Sequence, residues 1–206
     1  MKIYVSDISG MYDLPGSEML TQARLDRMLR YLQTSDQVRC LVAGLMFRRV
    51  FGAERAACIA TNTLGKPYLS DGPCFSLSHS GDKVVLLVDE HDAGVDIEQI
   101  APYSEAVARR VFTLREQAWL QNQQNNEAFY KLWTGKESIM KALGLGFQLP
   151  PESFEILPDQ SGPNLVLGNE WFLNWQTLDG HMLCCASSTS DAKPEIIRLA
   201  REDLLR

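Results

Sequence analysis

The run Phe129–Gly146, FYKLWTGKESIMKALGLG, decides how the rest of the chain is read. At helical spacing Trp133, Glu137 and Lys141 fall at i, i+4 and i+8, so a carboxylate and an ammonium group stack along one face about a turn apart. The apolar set Phe129, Leu132, Ile139, Met140 and Leu143 is offset from that line and is free to be buried. A plain surface helix carrying one Glu-to-Lys pair would show the same spacing, so this stretch needs a second to give it chemical meaning.

That second stretch is AGVDIEQI, residues 93–100. Val95 and Ile97 alternate with Asp96 and Glu98, so a strand buries the aliphatics and presents both carboxylates on one face. Two like charges at that spacing repel and call for a positive partner. Mg2+ meets the need, because it takes hard oxygen ligands from one or two carboxylates and completes its shell with water and substrate phosphate. An exposed edge strand accounts for the same pair without a metal.

Composition sets the frame. The chain has 206 residues, 45% hydrophobic and 22% charged, enough for one domain or two small ones with a proper core. Its net charge of -6 argues against a general nucleic-acid or membrane-surface binder. No apolar run approaches the length of a membrane span, and the start MKIYVSDISG lacks the basic-then-apolar form of a secretory signal, so a cytoplasmic location is the expectation. The five cysteines form no CxxC pair and are odd in number, which points to reduced thiols, mostly buried.

Along the chain, Lys2 to Ile8 reads as a strand. Glu18 to Leu32 reads as a helix whose apolar face is Leu25, Met28, Leu29 and Leu32, and Asp36 to Phe51 reads as a second helix capped by Thr34 or Ser35. Seven arginines against three acids fall between Arg24 and Arg55, which fits solvated helix faces or an anion site for nucleotide phosphates. Phe75 to Ser80 and Val84 to Val88 read as strands, the second continuously apolar and therefore central. Two helices follow the Asp96 strand, the second opened by Thr113 and Glu116 at capping-box spacing. The run QNQQNNE, residues 121–127, reads as a loop. After Pro150 and Pro151 the segments SFEIL, NLVL, EWFLNWQTL and HMLCCASS read as strands, with Asp179-Gly180 as a hairpin turn.

Gly94, Asp96 and Glu98, followed by Trp133, Lys136, Glu137 and Lys141, resemble the signature pair of the phosphopantetheinyl transferases, a GxDxE strand and a WxxKExxxK helix. The N-terminal run RLDRMLRYLQTSDQVRCLVAG and the later GKPY and FSLSHSG are similar to the surfactin-synthetase-activating type. The resemblance implies an α+β fold of two similar α+β subdomains related by pseudo-twofold symmetry, residues 1–93 and 94–206, with a coenzyme A cleft between them. It implies that Arg24, Arg27 and Arg39 hold the 3′-phosphate of coenzyme A, that Lys66 lies along the adenosine, and that His79 reaches the phosphates with Ser78 beside it. Asp96, Glu98 and Glu137 would hold Mg2+, with Mn2+ as a substitute. Lys141 would meet the same phosphate oxygens, and Glu137 would also serve as the base.

The activity so implied is transfer of 4′-phosphopantetheine from coenzyme A to a serine of an apo acyl or peptidyl carrier protein, by an enzyme able to act as a monomer. Carrier domains present an acidic helix, which makes Arg109, Arg110 and Arg115 candidates for docking, with solvated helix faces as the plainer reading. The competing functions are a non-catalytic coenzyme A binding protein and a Mg2+-dependent nucleotide hydrolase.

Overall fold

A computed structural model of the chain describes residues 1–189 and 193–206. Its first part runs β1 (Lys2–Asp7), α1 (Gln22–Leu29), α2 (Thr34–Phe51), α3 (Ala53–Ala57), β2 (Ala60–Thr61), β3 (Pro67–Tyr68), β4 (Cys74–Ser80) and β5 (Lys83–Asp89). The second runs β6 (Ala93–Gln99), α4 (Glu105–Val111), α5 (Leu114–Gln123), α6 (Asn126–Leu143), β7 (Asn164–Val166), β8 (Asn169–Leu178), β9 (His181–Ser187), β10 (Glu195–Arg198) and α7 (Arg201–Leu204). The α+β class holds.

Two four-stranded sheets, ordered β10-β1-β5-β4 and β6-β9-β8-β7, carry the architecture. Each has one 18-residue helix, α2 or α6, packed on a face. The continuous apolar run of β5 follows from burial on both sides. Val84 and Leu86 pack towards α2, whereas Val85 and Leu87 join a layer shared with Val95, Ile97, Leu183 and Cys185 of the second sheet. The last strand, β10, returns to pair in parallel with β1, Ile3 opposite Ile196, so the first sheet is completed by the end of the chain.

Several elements differ from the sequence reading, each for a local reason. The helix expected over 18–32 is a 3-10 turn, Ser17–Met19, and a separate α1 that ends at Leu29. Leu29 and Leu32 are exposed, because the chain turns before their face meets a partner. Gln33, not Thr34 or Ser35, occupies the cap position of α2. The polar run 121–127 is largely helical: α5 continues to Gln123, Gln124 takes a left-handed conformation at φ 51°, and Asn125 caps α6 by accepting from the Ala128 N–H at 2.8 Å. SFEIL, residues 153–157, forms no strand; a 3-10 turn, Pro151–Ser153, ends on its first residue. The Thr113–Glu116 capping box and the Asp179-Gly180 hairpin, with φ of 49° and 77°, are present as read.

The two halves meet where β4 faces β6. No backbone ladder joins these edges; the serines of β4 do. Ser76, Ser78 and Ser80 accept from the backbone N–H groups of Val95, Ile97 and Gln99 at 3.1, 3.4 and 3.1 Å. Period-two hydroxyls thus satisfy an edge that would otherwise be left unpaired. A cavity of about 560 Å3 opens beside this seam, with walls from both halves.

Candidate active site

The site begins with a glycine. A Cβ on Gly94 would lie 2.0 Å from the Ser138 carbonyl oxygen and 2.6 Å from the Ala142 nitrogen, so β6 and α6 touch backbone to backbone there. Two residues further along β6 comes Asp96, and the close approach brings Lys141 Nζ to 2.6 Å from its Oδ1. Ser78 Oγ donates to the same Oδ1 at 2.7 Å and accepts from Lys141 at 2.8 Å. Ser80 Oγ donates to Glu98 Oε2 at 2.6 Å. Each carboxylate of the strand is therefore held by a hydroxyl whose own acceptor role is taken by the backbone next to it.

Asp96, Glu98, Trp133, Glu137 and Lys141 all line the cavity, the alternation of β6 and the helical spacing of α6 having put them there. Asp96 is buried, 2% exposed, and its Oδ2 has no hydrogen-bond partner. Desolvation pushes the Glu137 carboxyl up to about 7; the negative charges of Asp96 and Glu98 act in the same direction and Lys141 opposes them. Glu98 is raised as well, by burial first and then by Asp96. Among the described residues, no three His, Cys, Asp or Glu side chains stand as a ready-made metal cluster. The carboxylates face one cavity, and the positive charge closest to them is Lys141.

The raised value of Glu137 gives a pH dependence of known sign. Between 4.5 and about 7 the folded carboxyl keeps a proton that the unfolded chain has released, so this group costs stability as pH rises through that window. The lowered pKa of His79 acts oppositely below 6.5, so a difference between variants isolates the carboxyl. In chelator, the melting temperature of Glu137→Gln minus that of the native chain should be larger at pH 8 than at pH 5. Equal differences at both pH values would contradict this assignment.

Arg24 and Arg27 of α1 line the same cavity. Arg24 lies 4.8 Å from the centre of the Phe47 ring, and its Nε donates to the Cys40 carbonyl at 3.2 Å. His79 lines the cavity too, its pKa lowered by desolvation first and then by Arg39 and Lys141. Arg39 and Lys66 are not among the lining residues. The Arg39 guanidinium is engaged by the Gly81 carbonyl, Ser35 Oγ at 3.3 Å and Asp36 Oδ1 at 2.6 Å. Lys66 Nζ donates to the Ala142 carbonyl at 2.6 Å, where a cation suits the C-terminal end of α6.

Lys136 points the other way and is fully buried. Of the three arginines considered for docking, Arg109 pairs with Glu105 at 3.3 Å and Arg115 with Glu155 at 2.9 Å. Sequence reasoning missed Ser80, whose signal was the period-two serines of FSLSHS, and the cavity-lining aromatics Phe47 and Phe147, which carry no motif.

Residues 92–192 match the family described as the 4′-phosphopantetheinyl transferase superfamily. Over 201 residues the chain is 31% identical to the 4′-phosphopantetheinyl transferase gsp of Aneurinibacillus migulanus, covering 91% of this chain and 85% of that protein. The chain belongs to the 4′-phosphopantetheinyl transferase superfamily. It is also 27% identical to the 4′-phosphopantetheinyl transferase Sfp of Bacillus subtilis, with both chains covered in full. A shorter match, 42% over 88 residues, links it to the 4′-phosphopantetheinyl transferase AcpT of Salmonella typhimurium, 39% of this chain and 46% of that one. The superfamily match spans both β6 and α6, the two elements that the Gly94 contact locks together.

Proposed function

We propose that the chain transfers the 4′-phosphopantetheine group from coenzyme A to a serine hydroxyl of an apo acyl or peptidyl carrier protein, releasing 3′,5′-ADP. The observation that supports this most is one cavity lined by acidic side chains, Asp96, Glu98 and Glu137, and by basic ones, Arg24 and Arg27. A nucleotide with a 3′-phosphate at one end and a pyrophosphate at the other matches that combination of charges. Residues 1–93 supply the basic side chains and residues 94–206 the acidic ones, so a single copy completes the site. We read the protein as a monomer on that ground. Among the described residues no helix is long and apolar enough to cross a membrane, and we place the enzyme in the cytoplasm.

The donor set fits a divalent cation. Asp96 Oδ2 is buried and unpartnered, and a hard cation would offset both the desolvation and the mutual repulsion that raise Glu137 and Glu98. Asp96, Glu98 and Glu137 would hold Mg2+ or Mn2+, which when bound supplies Lewis-acid stabilisation to phosphate oxygens. Arg24 and Arg27 bind the 3′-phosphate, with His79 and Ser78 beside the pyrophosphate. Arg39 and Lys66 support the site by holding the Gly81 turn and the end of α6.

In the reaction the carrier serine oxygen bonds to the phosphorus that bears pantetheine, and the bond from that phosphorus to the bridging pyrophosphate oxygen breaks. The leaving 3′,5′-ADP carries the electron pair away. The serine proton passes to the Glu137 carboxylate, which acts as the general base. Lys141, fixed by Asp96 and Ser78, stabilises the charge that develops on the departing group.

The test is intact-mass analysis of purified apo carriers incubated with the chain, coenzyme A and Mg2+. One phosphopantetheine added per carrier serine, with 3′,5′-ADP released, is the expected result. Breakdown of coenzyme A without carrier modification would make the protein a hydrolase. Tight binding of coenzyme A without turnover would make it a binding protein.

A further inference from the structure

One charged pair lies wholly outside the cavity. Lys136 and Glu116 are both 0% exposed, and the ammonium spends its three protons on Glu116 Oε1 at 2.8 Å and on the carbonyls of Pro151 and Phe154 at 2.7 and 2.6 Å. The Phe154 ring lies 4.4 Å away. Glu116 is equally occupied: Oε1 accepts from the Ile156 N–H and Oε2 from the Thr113 N–H, each at 2.8 Å. One salt bridge thus ties the start of α5, the middle of α6 and the segment from Pro151 to Ile156. Apolar side chains would leave the Pro151 and Phe154 carbonyls and the Thr113 and Ile156 N–H groups without partners, so the pair stabilises this seam, but stability alone does not explain why the ammonium stands next to Glu137.

Direction does. Helix α6 rests on β6 at Gly94 and on β8 of the same sheet at Gly135, which faces Trp175 and Ile156, a Cβ there lying 2.5 Å from Ile156 Cδ1. The glycines set how closely the helix lies and Leu132, Ile139 and Met140 anchor it in the core; the Lys136 ammonium adds a polar anchor of fixed direction. Lys136 leaves the helix about 100° from its neighbour Glu137. A roll of about 20° would move a carboxylate about 6 Å from the axis by about 2 Å. Three fixed oxygens on the Lys136 ammonium oppose that roll.

We infer that Lys136, through Glu116 and the Pro151 and Phe154 carbonyls, is a positioning residue that sets the rotation of α6 and so the place of Glu137 and Lys141 opposite Asp96. The inference rests on the transferase reading only in what it says about rate.

The test compares Lys136→Met, and the neutral pair Lys136→Met with Glu116→Gln in case the single variant does not fold, against Leu45→Ala, which is destabilised in the other core. Transfer is measured per folded molecule. We expect kcat to fall by at least about tenfold in the Lys136 variants, with KM for coenzyme A within about twofold of native. The Leu45 variant should keep its kcat.

An unchanged kcat per folded molecule, or a change in KM alone, would overturn the inference. Should the native chain transfer nothing to any carrier, the functional reading is what fails, and amide hydrogen exchange decides the inference alone. Faster exchange confined to Trp133–Lys141 in the Lys136 variants, and not in Leu45→Ala, upholds it; equal exchange in both overturns it.

Discussion

Glutamine in place of Glu137 should lower transfer by about 10³-fold while leaving coenzyme A bound with affinity within a few-fold of native. The amide matches the carboxylate in shape, so α6 and its contacts stay in place. What goes is the ability to accept a proton and one of the three anionic oxygen donors that face the cavity. Nucleotide binding survives because Arg24 and Arg27 of α1, whose contacts the change leaves in place, still line the cavity. Single-turnover mass gain on an apo carrier and calorimetric titration with coenzyme A separate the two effects. Native rates in this variant would remove Glu137 from the chemistry, and a loss confined to coenzyme A affinity would make it a binding residue only.

Valine at Gly94 should be nearly as damaging, by a different route. Its Cβ would stand 2.0 Å from the Ser138 carbonyl, a backbone atom that cannot step aside unless α6 moves with it. Moving the helix pulls Lys141 off Asp96 and carries Glu137 away from the strand, and a misplacement of about 1 Å costs about 10²-fold in rate. Overpacking should also cost about 1–3 kcal/mol of stability. Gly135→Ala is the control. Its added carbon meets the end of the Ile156 side chain at 2.5 Å and Trp175 at 3.0 Å, on the face of α6 away from the carboxylates. A side-chain methyl end can shift where a backbone carbonyl cannot, so the Gly135 variant should keep most of its activity. If Gly94→Val were as active as the native chain, the strand-to-helix contact would have no part in placing the site.

Much of this arrangement was legible in the sequence because it is written in local periods. Alternation around Asp96 and Glu98 gave the strand and its acidic face, and the four-residue spacing of Trp133, Glu137 and Lys141 gave the cavity-facing side of α6. What was not legible depends on partners distant in the chain. Lys136 reads as one more basic residue in the motif; its burial depends on Glu116 and on the carbonyls of Pro151 and Phe154, all far from it in the chain.

Phe75 to Ser80 reads as a strand, but nothing local to it shows that its serines meet the unpaired edge of β6. The family resemblance grouped Arg39 with Arg24 and Arg27, and in the structure Asp36 and the Gly81 carbonyl take up its guanidinium. The misreading of 121–127 has a similar origin. Composition marks Gln and Asn as loop residues, but a helix C-terminus in left-handed conformation and an asparagine cap use the same two residue types.

The account depends most on the claim that Asp96, Glu98 and Glu137 act together on one divalent cation. Titration of Mn2+ into the native chain and into Asp96→Asn, Glu98→Gln and Glu137→Gln, followed by electron paramagnetic resonance, tests it directly. The account predicts one ion per native chain and marked weakening in each of the three variants. Mn2+ binding undiminished in all three would contradict it.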